Sequence, residues 1–196
     1  MAKSDPASAK KERNKNIKWV ITIFFVTIFI SGSISLLSDV LMENSSMAVA
    51  FLILLVIILV GIIFDIIGMA VASADEKPFH SMAARKLPGA QEAIRLLRNA
   101  ERVSSICNDV VGDICGVVSG SASATIAAQI LRNFEFTWPQ IISLLMSALA
   151  AGLTVGGKAV GKSFAVNSCT QIVHTVGRVI HALHNFPKIF RKKKKK

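Results

Sequence analysis

Apolar positions fall into four long runs separated by short polar stretches. The first, residues 19–37, is uncharged throughout and opens on Trp19, a residue suited to the membrane–water boundary. The second, residues 47–73, contains one charged residue, Asp65. The third, residues 103–131, exceeds the ~20 residues a bilayer-spanning helix needs, yet carries Asn108, Asp109 and Asp113. The fourth, residues 137–166, opens on Thr137-Trp138-Pro139-Gln140, where Thr can cap, Pro suits the first turn and Gln completes a capping box. This pattern predicts an all-α integral membrane protein with four transmembrane helices. A cleaved signal peptide competes for the first run, but that run exceeds the usual ~7–15-residue apolar core, so a retained span is expected.

Two shorter segments have one apolar face each. In residues 89–102, Ala90, Ala93, Ile94 and Leu97 share a side, with Gln91, Glu92, Arg95 and Arg98 around the other. In residues 168–185, Ile172, Val173, Val176, Ile180 and Leu183 share one. Both read as amphipathic helices lying at the interface or packed under the bundle. His174, Arg178 and His181 make a polar stripe on the second, with His184 near it. No acid or cysteine joins these histidines on the stripe, so a solvated or headgroup-facing row is expected before a metal site. Residues 1–18 hold six Lys or Arg against two acids with no apolar period, and are expected to be disordered. Residues 191–196 form a polybasic tail, in which each cation near an anionic leaflet is worth ~1 kcal/mol.

The formal charge of +11 sits mostly at the two ends and in residues 77–102. That is a membrane distribution, and no nucleic-acid partner is expected. It places both termini and the 77–102 segment in the cytoplasm, and the turns at 38–46 and 132–136 outside. The expected location is multi-pass in a bacterial plasma membrane, with the bilayer and anionic lipid headgroups as partners. The three cysteines suggest no disulfide framework. No nucleophile–base set is present, so an enzyme is not expected. Residues 156–163, GGKAVGKS, match the spacing of a phosphate loop, but a phosphate loop follows a strand and opens a helix, whereas this match lies deep in an apolar run.

Charge inside the apolar runs is the candidate chemistry. An ionisable group at the centre of a span costs roughly 2.5–3.5 kcal/mol, so it faces protein or trapped water. At ~1.5 Å per residue, Asp65, Asn108, Asp109, Asp113 and Lys158 all lie in the inner half of the bilayer. One polar cluster between the second, third and fourth spans is therefore expected, with Lys158 offsetting one acid. Gly112, Gly116 and Gly120, at four-residue spacing, would let helices approach closely. Carboxylate, amide and hydroxyl oxygens with water suit Mg²⁺. A closed salt-bridge network with no room for an ion is the competing expectation.

Residues about 47–190 resemble the transmembrane domain of the CorB/CorC/CNNM family of magnesium transport proteins. Ser73-Ala-Asp-Glu76 resembles the family's SGSE. The segment from Gly89 to Asn108 resembles its cytosolic helix running into the LGNNxxxN span. Gly157-Lys-Ala-Val-Gly-Lys162-Ser-Phe-Ala resembles its GExxPKxxA. The resemblance implies a three-span bundle that dimerises, here with an added first span, and a cytosolic-side cation site supplied by Ser73, Asn108 and backbone at Gly157. Asp109 and Asp113 would add charge, with Lys158 and Asp65 as counter-ion and neighbour. The sequence departs from the family at Gly112 for Asn, Lys158 for Glu and Gly161 for Pro, and the resemblance covers the transmembrane domain alone, with no CBS pair expected. Divalent-cation transport, most readily of Mg²⁺, is the expected function. A non-transporting scaffold with Lys158 in place of the ion is the alternative.

Overall fold

In the computed structural model the backbone is described for residues 6–43, 45–133 and 138–193, and side chains for 17–42, 45–133 and 138–184. The described residues are helical and contain no strand. The order is α1 (Pro6–Glu43), α2 (Met47–Ser73), α3 (Lys77–Ala84), α4 (Ala90–Arg98), α5 (Ala100–Ser105), a π-helical segment (Ile106–Gly112), α6 (Asp113–Asn133), α7 (Pro139–Asn167) and α8 (Cys169–Lys193). From Ala100 to Asn133 the chain runs as one rod. Four stretches are long and apolar enough to cross a membrane: Ile17–Met42, Met47–Ser73, Ala100–Asn133 and Pro139–Asn167. A helix satisfies its own backbone groups where no water reaches, so runs of this length and composition fold as rods.

Helices α2, α6 and α7 pack on one another, and α1 lies along α6. Towards the α1–α2 turn, Leu54 and Ile58 of α2 bury against Ala122 and Ile126 of α6 and Met146 of α7. There Gln129 donates to the buried Met42 carbonyl at 2.7 Å, and Thr125 to Asp39 at 3.3 Å, fastening α1 to α6. At the opposite end Ala70 and Val71 of α2 meet Phe79 of α3, Ile94 and Leu97 of α4, Ala165 of α7 and Val173 of α8. The outward side chains are large and apolar, among them Phe25, Phe29, Leu144 and Val160. That surface suits lipid.

Several boundaries differ from those expected. Residues 6–18 are helical, as the start of α1. Ala7, Ala9, Lys10, Lys11, Glu12 and Arg13 are good helix formers, and a helix already nucleated by the span extends into them without a new nucleus. The amphipathic helix stops at Arg98 and not at 102. Asn99 leaves helical geometry and its side chain donates to the Arg95 carbonyl at 3.0 Å, so the span restarts at Ala100. Helix α3 was not expected. It begins with Pro78 in its first turn and buries Phe79 completely. Helix α8 runs to Lys193, past the expected end at 185. The fourth span begins at Pro139, while the Thr137 cap lies outside the described residues. Residues 156–163 sit wholly inside α7, with no loop to hold a phosphate.

The buried face of α4 is the expected one: Ala90, Ala93, Ile94 and Leu97. On α8, Val173 is fully buried but Leu183 is exposed. The two helices cross at Gly89 and Gly177, where a Cβ on either would strike the other's backbone. Gly89 also has a φ of 86°, a conformation that glycine adopts without steric penalty.

Candidate functional site

Three helices each contribute one charged side chain to a single point at the edge of the bundle. Lys158 reaches from α7, with its ammonium 3.4 Å from Asp65 Oδ1 on α2 and 3.9 Å from Asp113 Oδ1 at the start of α6. Gly112 makes the room. A Cβ there would lie 2.7 Å from Asp65 Oδ1 and 3.2 Å from the Lys158 ammonium. The side chains of Lys158 and Asp65 are 23% and 25% exposed, that of Asp113 72%. The triad has formal charges of +1, −1 and −1. Opposite unit charges about 4 Å apart attract by about 4 kcal/mol at an effective dielectric of about 20, before the cost of removing them from water. Lys158 therefore serves two acids where the sequence suggested one.

Asn108 lies within the π-helical segment. Its Nδ2 donates to Ser104 Oγ at 3.3 Å. Its Oδ1 is buried with no hydrogen-bond partner among the described residues and points at Gly68, whose missing side chain leaves the space. An unsatisfied buried acceptor costs roughly 1–3 kcal/mol, and π segments recur at functional sites. Asn108 thus presents a buried oxygen with no hydrogen-bond donor among the described residues.

The remaining expected site residues are not gathered with these. Asp109 is exposed and accepts from Ser105 Oγ at 2.7 Å. Ser73 is exposed at the end of α2. Gly157 packs against Ile62, where a Cβ would collide, and sits inside α7, whose carbonyls serve the helical ladder. Among the described residues no three His, Cys, Asp or Glu side chains come close enough to hold a metal between them. Of the three glycines at four-residue spacing, only Gly112 lies at a helix crossing, while Gly116 and Gly120 have nothing within 4 Å of a built Cβ. The α2 partners of that crossing are Gly61 and Gly68, which the pattern of small residues on the third span does not reach. Their seven-residue spacing on one helix face was the available signal.

A second polar contact lies between α4 and α8. His181 Nδ1 is 2.9 Å from Glu92 Oε1. The hydrogen bond to His181 holds the Glu92 carboxyl below its ordinary value of 4.5, against the opposing effect of burial. A depressed acid contributes stability above its unfolded value and loses it as pH falls through the folded one. The α4–α8 contact should therefore weaken below about pH 4.5. In an acid titration followed by proteolysis of α4, Glu92→Gln should remove that component, and an unchanged profile would refute the assignment. His181 thus has a carboxylate partner, one helix away, that the sequence stripe did not reveal.

No protein-family model, curated protein or solved structure matches this chain.

Proposed function

We propose that the chain moves a divalent cation, Mg²⁺ first among candidates, through the point where Asp65, Asp113 and Lys158 meet. The supporting observation is the Lys158 ammonium between two carboxylates inside the spans. Ionisable groups within spans are costly, face the bundle or trapped water, and commonly mark ion or substrate pathways. In this reading Lys158 is a tethered stand-in for the cargo. Its long flexible stem lets the ammonium withdraw, leaving two carboxylates and the free Asn108 oxygen as the hard oxygen donors Mg²⁺ prefers. In this reading Asp109 and Ser73, both exposed, attract the ion from outside the triad. The basic N-terminus, the 77–102 segment and α8 face the cytoplasm of a bacterial cell in this proposal, against anionic headgroups.

The same contact favours a second reading. If the ammonium never leaves, the triad is a permanent lock and the protein is a membrane scaffold. Flux of Mg²⁺ into liposomes holding the full chain separates the two. Transport predicts wild-type flux that falls at least tenfold in Asn108→Ala. A scaffold predicts no wild-type flux and its emergence in Lys158→Glu. Silence from all three folded proteins would sink the transport reading.

A further inference from the structure

A groove of about 360 Å³ opens between α2, α7 and α8, on the side of the bundle where α3 and α4 lie. Ile63 and Ile67 of α2 and Phe164 of α7 form its apolar wall, and Ser168, Gln171 and Thr175 its polar margin. The two kinds of lining are separated along the membrane normal. Ile63 lies ten residues from the end of α2, about 15 Å inside the span. Ser168 caps α7, and Gln171 and Thr175 belong to the first turns of α8. The groove therefore starts among hydrocarbon chains and ends at the boundary with water.

The margin carries donors without partners. Among the described residues the Ser168 hydroxyl and the Gln171 amide make no hydrogen bond, while the Thr175 hydroxyl donates to the Gln171 carbonyl at 2.8 Å. Gln171, Thr175 and Arg178 follow at i, i+4 and i+7 on one face of α8. Arg178 is exposed and, among the described residues, pairs with no acid. On the neighbouring face Val179 and Leu183 stay open, 54% and 67% exposed. Apolar wall, neutral donors and guanidinium thus succeed one another in the order of a phospholipid's chain, ester and phosphate. A helix from another protein would not answer them, because its backbone groups are spent on its own ladder. The basic 77–102 segment at the same end favours an anionic headgroup, as basic pockets between spans do in general.

We propose that this groove seats one anionic phospholipid of the adjoining leaflet. Its acyl chain lies along Ile63, Ile67 and Phe164, its ester oxygens accept from Ser168 and Gln171, and its phosphate takes the two-pronged guanidinium of Arg178. This is a single built seat, separate from the diffuse attraction of the basic ends to the leaflet. The inference does not depend on whether the triad moves an ion.

The test is native mass spectrometry of the full chain in detergent micelles, with phosphatidylglycerol or phosphatidylcholine added in equal amounts. One phosphatidylglycerol per chain should be retained, in preference to phosphatidylcholine. Arg178→Gln should lower that retention roughly tenfold, the share of one charge-assisted hydrogen bond. Arg178→Lys should keep most of it, which a folding defect would not. Arg85→Gln removes an exposed cation away from the groove and should change nothing. Phosphatidylglycerol with a photoreactive group in its chain should label Ile67 or Phe164 above Phe29, which is exposed on α1. Equal retention of the two lipids, full retention in Arg178→Gln, an equal loss in Arg85→Gln or labelling no stronger at Ile67 and Phe164 than at Phe29 would each overturn the proposal.

Discussion

Lys158→Ala should destabilise the folded bundle by about 2–3 kcal/mol, below the ~3–5 kcal/mol typical when one member of a fully buried ion pair is removed, because water reaches about a quarter of each side chain. The variant leaves Asp65, three-quarters covered, without its cation, and removes the cation from the largely exposed Asp113. For a chain of this size that corresponds to roughly 4–12 °C in the unfolding midpoint, read by thermal denaturation in detergent. Asp65→Asn in the same chain should recover most of the loss, because a neutral amide no longer needs the ammonium. Recovery distinguishes stranded charge from lost packing. If Lys158→Ala unfolds at the wild-type temperature, the triad is not holding α2, α6 and α7 together.

The second large effect is expected at Gly89. A Cβ there would fall 2.7 Å from the Arg178 Cα and the Gly177 carbonyl carbon, and still nearer to the Arg178 nitrogen. These are backbone atoms of α8, so no rotamer change relieves the clash. The φ of 86° adds about 1–2 kcal/mol for any residue with a Cβ. Gly89→Ala should therefore cost about 3 kcal/mol or more, combining that strain with overpacking of 1–3 kcal/mol. The damage should be local. Amide exchange should rise along α4 and in α8 around Gly177 while the spans stay protected. Uniform protection equal to wild type would show that the crossing yields easily.

Length and polarity made the four spans legible, because a bilayer sets both. That Asp65, Asp113 and Lys158 share a level was legible for the same reason, as residue counts from the span ends convert to distance. Rotation about each axis was not. Asp109 and Asp113 share a helix face by spacing, yet one reaches Lys158 and the other lies outside beside Ser105. Which glycines meet another helix depends on the partner, so Gly112 closes on the triad while Gly116 and Gly120 face outward. Helix α3 is short, and only the placement of Pro78 hinted at it. The break at Asn99 rests on one side-chain hydrogen bond to the preceding turn, which hydrophobic periodicity does not register. The Glu92–His181 contact spans 89 residues of sequence and arises only from the α4–α8 crossing.

The π-helical stretch Ile106–Gly112 has a consequence for how this protein tolerates change in length. A widened turn is equivalent to one surplus residue in an α-helix, and one residue is worth about 100° of rotation at 3.6 per turn. Above it, α6 is locked to α2 and to α1. Below it, α5 packs on α2. The surplus residue sets the rotation of one half relative to the other. Losing one residue here would tighten the rod into a regular helix and leave the two ends out of step. Single-residue insertions and deletions in this stretch thus act as phase mutations, decided by the number of residues more than by which residue is gained or lost.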